Sequence, residues 1–140
     1  IHSLGLKNTE GLIHTTSWYW DLNDESRKFA QRFFEKTKRM PTDLQAGDYS
    51  AVMTYLKAVE AVKTTDADKV MAYLKSTPLS DFYDKGVISP DGRYAHEMYL
   101  AEVKSPAESK KPWDYLKVLQ TLPADQVWTT KAESRCPLWK

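Results

Sequence analysis

Three large aromatics in a row, Trp18-Tyr19-Trp20, are the residues of this chain whose chemistry best suits a small ligand. Indole and phenol rings offer flat apolar faces for stacking, and each has a polar edge that can fix orientation. They follow a run of strand-forming residues and precede Asp21, Asp24 and Glu25, an acidic segment that opens a helix. In extended backbone successive side chains alternate, so Trp18 and Trp20 are expected on one face and Tyr19 on the other. A strand end just before a helix is a common ligand position in α/β proteins. Core packing uses the same rings equally well, and spacing alone leaves both readings open.

Other reactive residue types are sparse. His14 lies in the strand-like run with no second ligand at metal-binding spacing, which favours a structural histidine. Asp21, Asp24 and Glu25 could imitate an acid pair, but helix capping and the helix dipole account for two of them better. Cys136 is the single cysteine, and the nearest histidine in sequence is His96, so nothing around it suggests an activated thiol. A buried apolar residue, a free thiol and half of a disulfide all stay open for it. The sequence carries no glycine-rich phosphate loop, metal-ligand cluster or nucleophile elbow, so neither an enzyme nor a cofactor or metal site is expected. With 20 basic and 19 acidic residues and a net charge of +1, there is no electrostatic case for nucleic acid or an anionic membrane. The 140 residues suffice for one domain with its own core.

The elements that must position these residues follow from periodicity. Residues 11–16 are rich in β-formers and predict a strand. From Asn23 or Asp24 to about Lys38, Phe29, Phe33 and Phe34 recur at helical spacing as a core stripe, and Met40-Pro41 ends the helix. After a polar connector over 41–47, a second helix is expected over 49–63 with Asp48 as its N-cap. Val52, Tyr55, Leu56, Val59 and Val62 would form its buried stripe. A third helix over 66–75 rests on Val70, Met71 and Leu74. The period then changes: 86–89 and 94–104 read as strands joined by the turn Ser89-Pro90-Asp91-Gly92. Residues 113–122 fit helix or strand, and the bracketing Pro112 and Pro123 favour strand. From Asp125 the chain reads as a tail tied down by Trp128 and Cys136-Pro137-Leu138-Trp139.

Several phrases occur in a familiar order: Ile1-His2-Ser3-Leu4-Gly5-Leu6, Gly11-Leu12, Trp18-Tyr19-Trp20-Asp21-Leu22-Asn23-Asp24, Gly47-Asp48-Tyr49-Ser50-Ala51-Val52, Asp91-Gly92-Arg93 and His96-Glu97-Met98-Tyr99-Leu100. Over nearly its whole length the chain resembles the C-terminal part of a branched-chain-amino-acid-type ABC transporter solute-binding protein. The resemblance implies an α/β fold of the type I periplasmic-binding-protein kind, with two three-layer lobes joined by crossover strands. Residues 1–140 would be a C-terminal fragment contributing to both lobes. Residues 15–21 would cross back to the first lobe, the helices near 24–38, 49–63 and 66–75 would pack on it, and strands around 86–104 would lead to the second.

The function so implied is non-catalytic and periplasmic. A small organic ligand (amino acid, amide or aromatic acid) would be captured between the lobes and delivered to an ABC transporter permease. Trp18, Tyr19 and Trp20 would line the ligand site. Tyr49 matches a position near a helix start where the family often places a ligand contact, and Asp48 beside it could bring free N–H donors. Capping by Asp48 and packing by Tyr49 explain the same two residues. For an exported protein, Cys136 is expected in a disulfide with a partner outside these residues. The alternative is a free-standing, non-catalytic interaction domain that self-associates through exposed apolar area.

Overall fold

The computed structural model describes residues 1–139, which divide into two compact units. The first comprises Ile1–Asp43 and Met98–Leu122, and the second Leu44–Glu97 with the segment from Pro123 onward. Residues 15–21 stay inside the first unit. Local bonding explains this. The Thr16 hydroxyl donates to the Trp18 carbonyl at 2.8 Å and turns the chain, and the Trp18 indole then docks on the helix that follows. The chain changes unit between Asp43 and Leu44.

In the first unit, β1 (Ile13–Thr16), β5 (Met98–Val103) and β6 (Leu116–Leu122) form an antiparallel sheet of order β1-β5-β6. The register shifts between Leu100 and Ala101, where the ladder to β6 skips a residue. Helix α1 (Asp24–Thr37) starts on Asn23, whose side chain accepts from the Ser26 N–H, and Asp24 and Glu25 complement its N-terminal dipole. The helix ends at Lys38 in the left-handed region (φ 59°). Trp18, Trp20, Phe29, Ala30, Ala101 and Val103 are the buried apolar residues of this unit. Of the expected phenylalanine stripe, Phe29 is buried while Phe33 and Phe34 are half-buried. The strand reading of 113–122 is borne out from Leu116 onward in β6, while residues 113–115 precede the strand.

In the second unit α2 (Asp43–Val62) and α3 (Ala67–Ser76) accompany a small antiparallel sheet of β2 (Leu79–Ser80), β3 (Lys85–Ile88) and β4 (Tyr94–His96), and a short α4 (Ala124–Val127) follows Pro123. Helix α2 begins six residues before the expected start at Tyr49, so Asp48 is an interior helical residue and not an N-cap. Gly47, expected as the last residue of the connector, also lies inside the helix. The Tyr83 side chain lies over it, its hydroxyl oxygen 3.5 Å and its ring carbons 3.6 Å from where a Cβ would stand. The buried residues of α2 are the small Ala46, Ser50 and Ala58. The expected stripe is largely outside: Val52, Tyr55 and Leu56 are 57%, 45% and 51% exposed.

The strand expected over 94–104 is two strands in two sheets, divided at Glu97. His96 supplies the reason. Its buried ring meets the Asp84 carboxylate at 2.9 Å, and its carbonyl accepts from the Trp128 indole at 2.6 Å. The rings of Tyr83, Tyr94 and Trp128 surround it at 5.5, 4.9 and 5.5 Å. Trp128 thereby ties down the tail as expected, and Trp139 lies under the Arg93 guanidinium at 5.3 Å. The turn before β4 closes through Gly92 N–H to the Ser89 carbonyl (2.8 Å), with Gly92 at φ 88°. Gly86 in β3 meets a different constraint: a Cβ there would clash with the Ala95 carbonyl oxygen. Among the described residues no helix is long and apolar enough to cross a membrane.

Candidate ligand-binding site

The first unit contains a cavity of about 340 Å³, within the size range of small-molecule sites. Trp18, Tyr19 and Trp20 all line it, together with His2, His14, Met40, Asp43, Trp113 and Tyr115. The aromatic stretch does reach one site, but not by strand alternation. Strand β1 stops at Thr16, and the three rings then part company.

Trp18 is 2% exposed. Its Nε1–H donates to the Ser26 hydroxyl at 3.0 Å, and its ring meets Phe29 edge-on at 5.9 Å. Packing on α1 absorbs most of this side chain. Tyr19 and Trp20 instead converge: the phenol and the indole N–H both donate to the Trp113 carbonyl, at 3.0 and 2.9 Å. The Tyr19 oxygen also accepts from the backbone N–H of Tyr115 (3.0 Å) and Leu116 (3.4 Å). Burial pushes the Tyr19 phenol up to about 12, against the lowering effect of those two N–H groups, and Asp114 and Asp21 push the same way as burial. The phenol is thus a neutral donor at ordinary pH.

The segment they hold is unusual. Trp113 sits at φ 67°, a left-handed conformation that costs a side-chain-bearing residue roughly 1–2 kcal/mol. Asp114, 4% exposed, anchors the turn by accepting from the Lys104 ammonium and, at 2.9 Å, from the Lys110 N–H. Burial alone would raise the Asp114 carboxyl, but these donors and the nearby lysine charges hold it below the usual range. Lys111 bridges back to Asp21 at 2.8 Å and lies 4.8 Å from the centre of the Trp20 ring. Arg27 meets the same Asp21 at 3.0 Å.

His2 stacks on the Trp113 ring at 4.0 Å and 12°, and its Nδ1 lies 2.6 Å from the Tyr115 hydroxyl. The Ser17 hydroxyl donates to Asp43 at 3.4 Å. His14, read from sequence as a satisfied structural residue, is exposed on β1 and faces the cavity. The arrangement offers ring faces, imidazoles and one carboxylate. Among the described residues no group of three His, Cys, Asp or Glu could hold a metal ion.

Tyr49 and Asp48 belong to the second unit and do not line this cavity. Tyr49 is 42% exposed in the interior of α2, with its ring 5.8 Å from that of Phe82. The free N–H groups expected beside it belong to the turn that begins at Asp43. Sequence reasoning missed His2, His14, Asp43, Trp113 and Tyr115. The aromatic pair in Trp113-Asp114-Tyr115 repeats the pattern of Trp18-Tyr19-Trp20 and was the available signal.

A family model described as periplasmic binding protein matches residues 1–111. The chain belongs to the periplasmic binding proteins. Their location is extracytoplasmic. A crystal structure of a periplasmic binding protein from Burkholderia mallei is 59% identical with a TM-score of 0.97, covering 99% of this chain and 37% of that one. A branched chain amino acid ABC transporter periplasmic ligand-binding protein from Burkholderia xenovorans LB400 is 42% identical with a TM-score of 0.95, again over 99% and 37%. These matches bear out the type I periplasmic-binding-protein fold and the branched-chain-amino-acid-type resemblance, and this chain spans 37% of the length of both relatives. A solute binding protein of an ABC transporter from Rhodopseudomonas palustris BisB5, crystallised with 3,4-dihydroxy benzoic acid, shares the fold at 15% identity and a TM-score of 0.69, over 83% of this chain and 32% of that one. Comparison with curated protein sequences gives no match.

Proposed function

We propose that this chain is part of a non-catalytic solute-binding protein that captures a small organic ligand, an amino acid, amide or aromatic acid, for delivery to an ABC transporter permease. Residues 1–140 would contribute to both lobes of such a protein. The observation that carries the reading is the ring-walled cavity of the first unit, whose size suits one small molecule. Trp18, Tyr19 and Trp20 form its aromatic wall. Tyr49 and Asp48 enter this reading only as surface of the second unit.

Titration of the intact protein with amino acids, amides and aromatic acids, followed by tryptophan fluorescence and calorimetry, tests the reading. Trp20→Ala should weaken binding by roughly 1–3 kcal/mol, the contribution of a well-packed anchor, at full occupancy of the folded state. Trp18→Ala should lower the melting temperature most. If affinity stays unchanged in all three single alanine variants of residues 18–20, this stretch is not the ligand wall.

A second reading rests on the exposed α2 residues Val52, Tyr55 and Leu56. In it the chain acts as a self-associating interaction module. Sedimentation of the protein with and without Leu56→Ser separates the two. A monomer in both cases removes the second reading.

A further inference from the structure

We propose that Trp113 is the ring on which a flat ligand stacks, that Tyr19 and Trp20 are positioning residues holding it there, and that the ligand's ring takes the place now held by His2. The inference rests on the solute-binding reading above and deepens it by naming a ligand class: a planar aromatic or heteroaromatic ring with a hydrogen-bonding atom on its edge.

The first support is where strain falls. Among the described residues, non-glycine positive φ occurs at Lys38, Lys63 and Trp113. Lys38 is the C-cap of α1 and Lys63 follows the last residue of α2, where left-handed backbone is the ordinary way for a helix to end. Trp113 ends no helix. Strained backbone of this kind persists only when its surroundings over-determine it, and it concentrates at ligand clamps.

The second support is what over-determines it. The Trp113 carbonyl is gripped by the Tyr19 hydroxyl and the Trp20 indole, and Tyr19 also takes the N–H groups of Tyr115 and Leu116. One phenol thus fixes the chain on both sides of Asp114. These bonds commit the polar edges of Tyr19 and Trp20 to the protein, so those groups are already spent when a ligand arrives. They set the direction in which the Trp113 ring points.

The third support is what already lies on that ring. His2 is exposed, yet its imidazole is nearly coplanar with the indole at 12° and a centroid distance of 4.0 Å, and its edge nitrogen is bonded to Tyr115 Oη. The imidazole shows what this place accepts: a thin slab against the indole face, with one polar atom in plane for the Tyr115 hydroxyl. A branched aliphatic side chain is too thick to make the same face-to-face contact. A flat ligand reproduces both interactions and releases His2 to water.

The test uses the intact protein, 4-hydroxybenzoate and imidazole-4-carboxylate as flat probes, leucine as a branched one, and calorimetric titration. His2→Ala, at an exposed residue, should tighten flat-probe binding about threefold to tenfold by removing the competing ring. Trp113→Leu should weaken it at least tenfold and Trp113→Phe less than threefold, which also keeps the test open if the leucine variant fails to fold. Tyr19→Phe should weaken flat probes several-fold more than it weakens leucine, a selectivity change that general destabilisation does not produce. Flat-probe binding unmoved by His2→Ala and Trp113→Phe alike, with Trp113→Leu also silent or unfolded, overturns the stacking site. Binding of leucine with no binding of either flat probe overturns the ligand class and leaves the solute-binding reading standing. No binding of any amino acid, amide or aromatic acid overturns both.

Discussion

Residues 18–20 of the first unit and the α2 stripe of the second are both runs of large apolar side chains beside helical sequence, yet they meet opposite fates. Trp18 and Trp20 are 2% and 8% exposed, whereas Val52 and Leu56 are 57% and 51% exposed. The rings are buried with their polar edges matched: Ser26 serves one indole, and the Trp113 carbonyl serves the other together with the Tyr19 phenol. On α2 the small residues Ala46, Ser50 and Ala58 are buried instead. Apolar character nominates a side chain for burial, and the partner surface decides. Close backbone approach favours small residues, while a large ring needs both room and a mate for its N–H or O–H.

The contrast breaks or sharpens under substitution. Trp18→Ala should cost the most, about 3–5 kcal/mol in urea unfolding, because it empties a packed site against Phe29. Ser26→Ala should follow at about 1–3 kcal/mol, since it removes the hydroxyl that accepts from the buried Trp18 indole N–H. Leu56→Ala on the exposed face should fall within about 1 kcal/mol, as surface changes usually do. If Leu56→Ala costs as much as Trp18→Ala, the two regions are not different in kind.

A further effect is read in pH. The Tyr19 phenol titrates near 12 in the fold and near 10 when unfolded. Below pH 10 both states keep the proton. Between 10 and 12 the unfolded chain releases it first, so stability should fall with rising pH across that window. Tyr19→Phe should make the slope shallower there, with Tyr94 and Tyr115, also raised by burial, keeping part of it, and spectrophotometric titration at 295 nm should lose its Tyr19 component near pH 12.

Much of this architecture was legible in the residues. Asn23-Asp24-Glu25 announced α1, Pro112 and Pro123 favoured a strand for β6, and Ser89-Pro90-Asp91-Gly92 gave the turn. Local chemistry suffices for each. Errors arose where a tertiary partner overrode a local rule. Gly47 and Asp48 looked like a helix boundary, but α2 runs through them under the Tyr83 ring. One strand over 94–104 became two because Asp84 and Trp128 claim His96. At the candidate site the ring triplet was visible from its types, while its tie to Trp113 spans more than ninety residues of sequence and leaves no periodic trace. Alternation failed there because a side-chain bond from Thr16 ended the strand early.

Gly86, inside strand β3, and Gly92, in the turn that follows it, belong to the same short hairpin and predict unlike histories of substitution. At Gly92 the difficulty is conformational, with nothing within 4 Å of an added Cβ, so asparagine and aspartate, which accept left-handed backbone, are open to it. At Gly86 the obstacle is the carbonyl of the facing strand, which no choice of side chain evades. In a saturation library position 86 should be an empty column, and position 92 should keep a few polar survivors. Any lineage that changed residue 86 would first have had to remake the pairing of its hairpin, so neighbouring positions can drift only around a fixed point.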